Sequence, residues 1–455
     1  MNIRVNSIIH LIIFFSFLGH FGIKILGQNI YYYYIIEIFL LSIIFFNRGI
    51  RIDSSSFEIK LILFLFFLII ISSFINAFAD IPDFKGQSIS ISSLKATIYI
   101  TLNFLMINLI VYYGDNKKFF DGLCKTLKYI IIFYIIYFAL ESYQDYFQKN
   151  DIIKYILNIF HMSSRSINKG FINLLGHEHS NSSIFVLILY SFMVANIFNQ
   201  KKVFGSSLID IFIVLILTLS IFLLESKLGY LIFAILNFFI FIQKFMNAKN
   251  NLKYFLSLFF FLLLLYFFYQ FFDYKILKAM GLIINYDHPS FNIRANFALA
   301  SIYMMLENPF FGVGVNNFKF YLEDTIINLE SIEWLNIKTT GNIGGSELEL
   351  NTYLYNTTGM PDPANLLLGI GAEMGVLALI IFLILLSRLF FKSYSHSKNK
   401  QLDKNDAVLA QFLFYSLIVI IFSFPGFYQW YFIIQWIIIG LNICFIAYVH
   451  TKYKT

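Results

Sequence analysis

Long apolar stretches recur along the whole chain between short polar segments, and this pattern indicates the fold class. A helix that crosses a lipid bilayer needs about 20 mostly apolar residues. Stretches of this kind occupy residues 5–23, 29–47, 59–79, 96–113, 128–147, 182–199, 206–224, 228–246, 252–272, 364–387, 407–424 and 428–449. We therefore predict an all-α polytopic membrane protein with about twelve transmembrane helices, in which residues 1–455 form a single transmembrane domain.

The distribution of basic residues predicts the orientation of these helices, because cytoplasmic loops carry an excess of Lys and Arg. With the N-terminus in the cytoplasm, 20 of the 33 Lys and Arg residues fall on the cytoplasmic side. Of the other 13, five lie in one long outer loop. The bias predicts that both termini are cytoplasmic, and the first segment lacks a cleavage-site pattern, so it is expected to be retained.

Two predicted outer loops are much longer than the rest, at about 148–181 and 273–363. The second is inserted between predicted helices nine and ten and holds ten acidic and five basic residues. Within it, Arg294–Leu306 has helical apolar spacing, Asn308-Pro309 is expected to end that helix, and 311–315 to form a turn. Because loops of this length are usually functional, we expect the chemistry on the outer face.

Composition limits the classes of function. Hydrophobic residues make up 59% of the chain and charged residues only 13%, whereas soluble domains average about 25% charged residues. We therefore expect the protein to be embedded in a lipid bilayer. The net charge of +7 is not concentrated in a basic tail, so orientation signals explain it better than binding to nucleic acid. Two cysteines do not make a disulfide framework, and the chain has no ATPase motif.

Several charged residues lie at or near predicted membrane depth, where charges are costly and usually mark function or a buried pair. They are Glu373 in the tenth predicted span, Glu225 and Lys227 between two spans, and Arg165, Lys169 and Arg294 in the long loops. Structural alternatives stay open. Lys227 could extend from a helix end to water, Arg294 could cap loop structure, and Glu373 could pair with a neighbouring helix.

The segment His177-Glu178-His179 holds groups that bind metals or transfer protons. Two imidazoles come close together in His-x-His, but no third and fourth metal ligands are evident, so a satisfied polar cluster is the commoner outcome. A general base needs only one correctly placed His or Glu. The glycines at 369, 371 and 375 lie in a predicted span and not after a strand, so we interpret them as sites of close helix packing.

The start of the second long loop resembles a family signature. Arg294, a helical stretch, Asn308-Pro309-Phe310-Phe311-Gly312-Val313-Gly314 and Asn317-Phe318 resemble the signature of the O-antigen ligase and polymerase superfamily. Three further elements are similar to parts of that family: Ser226-Lys227 with Gly229, Arg165 before Gly170-Phe171, and Asp362 to Asn365 followed by Ala372 to Val376. The resemblance covers about residues 160–390 by motif and the whole chain by topology.

The resemblance implies a GT-C-like membrane fold and a glycosyltransferase of the bacterial inner membrane, whose active site faces the periplasm. Such enzymes transfer a glycan from undecaprenyl pyrophosphate to a saccharide hydroxyl, without a metal or another cofactor. Two departures stand out: Lys227 where Arg is usual, and Ala364 where ligases generally show His. The missing His favours a polymerase, whose acceptor is another lipid-linked repeat unit, over a ligase, whose acceptor is lipid A–core. A chain-length regulator is an expected partner.

The implied chemistry assigns roles to the charged residues. Without a metal, cations must stabilise the pyrophosphate leaving group, and Arg165, Lys227 and Arg294 are the first candidates, with Lys169 second. The attacking hydroxyl needs a base, for which Glu178 is favoured, then His177 or His179, with Asp362 as a local substitute for the missing His. A flippase for the same lipid-linked sugars is the alternative from another class, but it predicts inverted repeats, and none is evident.

Overall fold

The structure, a computed structural model, describes residues 5–17, 22–25, 28–48, 56–146, 179–199, 201–224, 226–246, 289–330, 362–363, 365–424 and 433–453. These ranges contain fourteen α-helices and one short antiparallel hairpin, β1 (Gly22–Ile25) and β2 (Gln28–Tyr31). The helices are α1 (Val5–Phe17), α2 (Tyr32–Arg48), α3 (Phe57–Asn76), α4 (Ile89–Gly114), α5 (Lys117–Tyr146), α6 (His179–Phe198), α7 (Ser207–Leu223), α8 (Lys227–Met246), α9 (Pro289–Glu307), α10 (Phe318–Glu330), α11 (Leu366–Met374), α12 (Val376–Ser397), α13 (Lys404–Ser423) and α14 (Ile433–Tyr453).

The predicted all-α polytopic fold agrees with this architecture, although the number of full-length spans differs. Within the described ranges six helices are long and apolar enough to cross a membrane: α3, α4, α5, α12, α13 and α14. Helices α1, α2, α6, α7 and α8 carry shorter apolar cores of 10–17 residues. Seventeen helical residues rise only about 26 Å, less than the roughly 30 Å apolar core of a bilayer. The predicted span 252–272 lies outside the described residues, so twelve spans stay a prediction.

Two predicted spans had wrong boundaries. Residues 5–23 and 29–47 were predicted as helices, but the chain leaves α1 at Phe17 and forms the hairpin before α2 begins at Tyr32. The strands contain Lys24, Gln28 and Asn29, which interrupt the apolar pattern at the point where the two spans were expected to turn. The hairpin therefore uses residues that the apolar pattern assigned to the two helix ends.

The tenth predicted span, 364–387, is two helices. Gly375 separates α11 from α12 with φ 90° and ψ 167°, a backbone conformation that is essentially restricted to glycine. The long apolar helix is α12, which ends at Ser397, ten residues beyond the predicted boundary. Glu373 consequently lies before the span, in the last turn of α11, and not inside the span as predicted.

Helices α12, α13 and α14 form the centre of the bundle. α13 packs on α6, α8 and α12, while α14 packs on α4 and α12 packs on α3. α13 and α14 are buried along nearly their whole length, whereas α3 exposes Phe67 and Phe74 on one flank. Apolar side chains on such a flank suit contact with lipid.

Antiparallel packing of α3 and α12 gives the bundle two chemically distinct ends. At one end Glu58 of α3 accepts hydrogen bonds from Arg388 Nε at 3.1 Å and from Lys392 Nζ at 2.7 Å, both of α12. Lys452 pairs with Asp406 at 2.7 Å at the far end of α14. The basic residues Arg388, Lys392 and Lys452 all belong to the predicted cytoplasmic side. At the opposite end, α3 and α4 contact the segment that follows α9.

Candidate functional site

The turn that follows α9 is built by three residues with positive φ. The Asn308 N–H closes the helix on the Met304 carbonyl at 2.9 Å. Gly312 (61°), Gly314 (92°) and Asn316 (61°) then adopt left-handed conformations before α10 begins at Phe318. The predicted helix Arg294–Leu306 lies within α9, and the turn predicted at 311–315 is present, so both predictions are confirmed.

This turn docks on the break between α11 and α12 through the backbone. The Val313 N–H donates to the Ala372 carbonyl at 2.9 Å and the Gly314 N–H to the Glu373 carbonyl at 2.9 Å. In the other direction, the Val376 N–H donates to the Pro309 carbonyl at 2.8 Å. A Cβ on Gly312 would lie 2.3 Å from the Glu373 carbonyl carbon, which explains a glycine at this position of the signature.

Glu373 holds the end of the turn in place with its side chain. The carboxylate is fully buried and accepts hydrogen bonds from the backbone N–H of Asn316 at 2.8 Å and of Phe318 at 3.2 Å. Phe318 is the first residue of α10, where an anion is stabilised by the unpaired N–H groups and the dipole of the helix. Glu373 therefore binds backbone N–H groups across the turn. The sequence had suggested either a functional charge or a pair with a neighbouring helix, and neither interpretation predicted this contact.

Side chains of α3 and α4 contact the same turn. The Ser72 hydroxyl lies 2.8 Å from the Glu373 carbonyl oxygen, and Asn76 Nδ2 donates to the Gly312 carbonyl at 3.2 Å. From α4, Ser93 Oγ donates to Asn317 Oδ1 at 3.0 Å. The α9–turn–α10 unit is thus joined to the bundle by polar contacts, while its own apolar side chains pack together with Ala372 of α11.

Lys319 is a buried cation in this region that sequence reasoning missed. Its side chain is about 5% exposed, and Nζ donates to Gln87 Oε1 at 3.0 Å, in the loop before α4. Burial is the main cause that lowers the pKa of Lys319 to about 8; the charge of Glu373 opposes the shift and the smaller effect of Lys95 adds to it. The sequence offered one indication of a role for Lys319, because it directly follows the family-like Asn317-Phe318. A single Lys in an acidic loop, however, gives no reason to expect that its side chain is buried.

Two of the predicted site residues begin neighbouring helices. His179 is the first residue of α6 and Lys227 the first of α8. One turn into α6, Ser183 Oγ donates to Ser226 Oγ at 3.3 Å, and a Cβ on Gly229 would lie 2.6 Å from the Ser183 Cβ. The first turns of α6 and α8 are therefore in contact, which brings the backbones of His179 and Lys227 to the same end of the bundle.

The structure describes less of the other predicted site residues. Arg165, Lys169, His177 and Glu178 lie outside the described residues, as do the side chains of His179, Lys227 and Arg294. Arg294 is placed in the first half of α9, and Asp362 is exposed shortly before α11. Within the described ranges no group of three His, Cys, Asp or Glu residues lies close enough to hold a metal ion.

The family model of the O-antigen ligases matches residues 212–383. Residues 212–383 are thus similar to the O-antigen ligase family. The matched region runs from α7 to the first half of α12 and includes Ser226-Lys227, α9, the docked turn and Glu373. It supports the resemblance to the O-antigen ligase and polymerase superfamily, a function of ligase or polymerase type, and a lipid-linked glycan as substrate. No curated protein matches the chain.

The contact between α6 and α8 can be tested with a matched pair of serines, one inside and one just before the region that matches the family model. Ser226 Oγ accepts from the Gly229 N–H at 3.0 Å, and Ser206 Oγ caps α7 by accepting from the Ile209 N–H at 3.2 Å. Loss of either cap costs about 1 kcal/mol. We expect Ser226→Ala to lower glycan transfer about fivefold or more, because it also disturbs Lys227, and Ser206→Ala to leave transfer within about twofold. Equal activities in the two variants would contradict a role for the α6–α8 contact.

Proposed function

We propose that the protein is a polymerase of O-antigen or another surface polysaccharide, which transfers a growing glycan from undecaprenyl pyrophosphate to a sugar hydroxyl of another lipid-linked repeat unit. The observation that carries this proposal is the match of residues 212–383 to the family model of the O-antigen ligases. Ala364 favours the polymerase within the superfamily, because ligases generally show His at this position. The reaction takes place at the periplasmic face of the bacterial inner membrane, with both termini in the cytoplasm.

The reaction needs fixed positive charge where the leaving group departs. As the anomeric carbon bonds to the acceptor oxygen, its bond to the pyrophosphate oxygen breaks and negative charge grows on the pyrophosphate. Preorganised cations lower the energy of such a transition state. We assign this role to Arg165, Lys227 and Arg294, with Lys169 in support. The first turns of α6 and α8 lie side by side, so the positive ends of two helix dipoles add to the charge of Lys227.

The acceptor hydroxyl must lose its proton to a base during the attack. We assign the base to Glu178, with His177 and His179 as neighbours that could replace it. Since α6 begins at His179, Glu178 directly precedes the helix that contacts the start of α8. We therefore assign the base and Lys227 to the same helix ends, as a displacement between two sugars requires. Asp362, exposed before α11, is the second candidate for the base.

The assigned roles predict separate effects of substitutions. Arg294→Ala and Arg165→Ala should each lower the transfer rate about 100-fold or more, because a cation aimed at developing charge is lost. Arg294→Lys should recover part of the rate, since it restores charge without the bidentate fork. Arg51→Ala, on the predicted cytoplasmic side, is the control. Full activity in Arg294→Ala and Arg165→Ala would contradict the pyrophosphate assignment, and full activity in Glu178→Gln would place the base elsewhere.

A ligase is the second candidate, because the family model that matches the chain is that of the O-antigen ligases. The acceptor distinguishes the two reactions. The purified protein is incubated with one synthetic lipid-linked repeat unit, without lipid A–core and with a chelator present. A ladder of products supports the polymerase. Transfer that needs added lipid A–core supports the ligase and makes the interpretation of Ala364 wrong. A chain-length regulator is a proposed partner of the polymerase.

A further inference from the structure

An ion-pair cluster at the end of the bundle away from the docked turn carries more positive than negative charge. Glu58 of α3 accepts from Arg388 Nε at 3.1 Å and from Lys392 Nζ at 2.7 Å, so one carboxylate serves two cations of α12. The Glu58 side chain is 5% exposed, whereas those of Arg388 and Lys392 are 40% and 39% exposed. The net positive charge therefore lies at the surface, at the end that the distribution of basic residues predicts to be cytoplasmic.

The cluster keeps donor groups for a further anion. Toward the residues that the structure describes, the Arg388 guanidinium donates through Nε alone, so its two terminal nitrogens are left for another acceptor. The Phe57 ring centroid lies 4.5 Å from Arg388 Cζ, and this stacking contact holds the guanidinium in place. Lys60 is exposed one helical turn after Phe57 and adds a third cation on the same face of α3. A planar guanidinium flanked by ammonium groups suits a phosphate group.

The lipid-facing surface next to this cluster is apolar. Phe64 and Phe67 are exposed on the same flank of α3 as Phe57, and Ile384 is exposed on α12. Ile384 lies one helical turn before Arg388, on the face of α12 that carries the cation. The rise from Phe57 to Phe67 is about 15 Å, which is half of the roughly 30 Å apolar core of a bilayer. The apolar surface therefore has the length of the acyl chains of one leaflet.

Positive charge at the membrane surface, continued by apolar side chains over half a bilayer, matches a phospholipid whose head group is negatively charged. We propose that the α3–α12 surface binds an anionic phospholipid, with its phosphate at Arg388 and Lys392 and its acyl chains along Phe64 and Ile384. The predicted orientation assigns this lipid to the inner leaflet, where anionic lipids attract basic side chains. The inference does not depend on the glycan that the protein transfers.

An ion pair that only joins α3 to α12 is the alternative explanation of the cluster, and Glu58→Gln distinguishes the two. If the carboxylate serves only the helix contact, its loss lowers the melting temperature and leaves lipid binding unchanged. In a lipid site the Glu58 carboxylate competes with the lipid phosphate for the same donors. Glu58→Gln should then tighten the binding of an anionic phospholipid about threefold. Unchanged binding in this variant would support the ion pair alone and overturn the proposal.

Direct lipid binding to the purified full chain tests the two cations without relying on turnover. Native mass spectrometry compares phosphatidylglycerol with phosphatidylethanolamine of the same acyl chains, so that only the head groups differ. Arg388→Gln and Lys392→Gln should each weaken the binding of phosphatidylglycerol about fivefold and leave phosphatidylethanolamine within about twofold. Each variant leaves Glu58 one cationic partner, so no buried carboxylate becomes unpaired and the fold should persist. Lys118→Gln, at an exposed lysine of α5 on the same predicted side, is the matched control and should change neither.

Two further measurements test the aromatic contact and the acyl chains. Phe57→Leu removes the ring beside the guanidinium and should weaken the binding of phosphatidylglycerol about twofold. Phe74→Leu, on the same flank of α3 near its other end, should leave it unchanged. Phosphatidylglycerol should also raise the melting temperature of the wild type more than that of Arg388→Gln, because a ligand stabilises the state that binds it.

Three results would overturn the proposal. The first is that Arg388→Gln and Lys392→Gln bind phosphatidylglycerol as tightly as the wild type does. The second is that the wild type binds the two phospholipids equally, since the surface would then recognise acyl chains alone. The third is that glycerol phosphate, which offers a phosphate without acyl chains, displaces phosphatidylglycerol as well as the unlabelled lipid does, since the cluster would then be a site for a free anion.

Discussion

Gly375→Ala is expected to abolish stable folding. Gly375 has φ 90° and ψ 167°, and a non-glycine residue held in such a region costs roughly 1–3 kcal/mol. A Cβ would in addition lie 2.3 Å from the Phe310 carbonyl oxygen and 2.8 Å from that of Pro309. Both atoms belong to the backbone of the docked turn, so relief of the clash requires the turn to leave the α11–α12 break. We expect a total loss of about 4 kcal/mol or more.

The chain provides a control that separates strain from docking. Gly205 has φ 92°, and a Cβ there would meet nothing within 4 Å. Gly205→Ala should therefore cost only the strain, roughly 1–3 kcal/mol. The measurement is the free energy of unfolding in detergent, together with the yield of monodisperse protein. If Gly375→Ala and Gly205→Ala are equally stable, the turn is not docked as described.

Glu373→Gln is expected to release the turn while conserving the shape of the side chain. The carboxylate accepts from the N–H groups of Asn316 and Phe318, but an amide offers one oxygen and turns its NH₂ group toward the second N–H. One buried N–H is left without an acceptor and the favourable charge at the start of α10 is lost, at a combined cost of about 2–4 kcal/mol. Because the turn connects α9, which carries Arg294, to the bundle, transfer should fall at least about tenfold.

Glu307 serves as the matched control for Glu373. It is an exposed acidic residue at the end of α9, so Glu307→Gln should change the free energy of unfolding by less than about 0.5 kcal/mol. Ser72→Ala provides an independent check, since Ser72 contacts the Glu373 carbonyl oxygen from α3. The double variant with Glu373→Gln should lose less than the sum of the two single variants. Wild-type stability and transfer in Glu373→Gln would contradict the role of this carboxylate.

The sequence predicted the helical membrane fold and the local structure of the signature because both depend on short-range patterns. Apolar periodicity indicates α9, and Asn308-Pro309 followed by two glycines indicates the turn. The division of the tenth predicted span into α11 and α12 could not be predicted from such short-range patterns. Residues 366–397 are apolar throughout most of their length, and the interruption at Gly375 is stabilised by backbone hydrogen bonds to Pro309 and Val313, which are distant in sequence.

The candidate site was predicted less completely than the fold. Lys227 and His179 were chosen from motifs, and the structure adds that the helices they begin are in contact. Lys319 was missed because its hydrogen-bond partner, Gln87, lies more than 200 residues earlier in the chain. Glu373 was recognised as an unusual charge, but its partners are backbone groups, which leave no side-chain pattern in the sequence.

The product formed from a single lipid-linked repeat unit tests the central proposal most directly. The purified full chain is incubated with that substrate alone, with a chelator present, and the products are separated by gel electrophoresis. A polymerase predicts a ladder whose steps correspond to one repeat unit, and this ladder should disappear in Arg294→Ala. Transfer only after lipid A–core is added, or no transfer with either acceptor, would contradict the account.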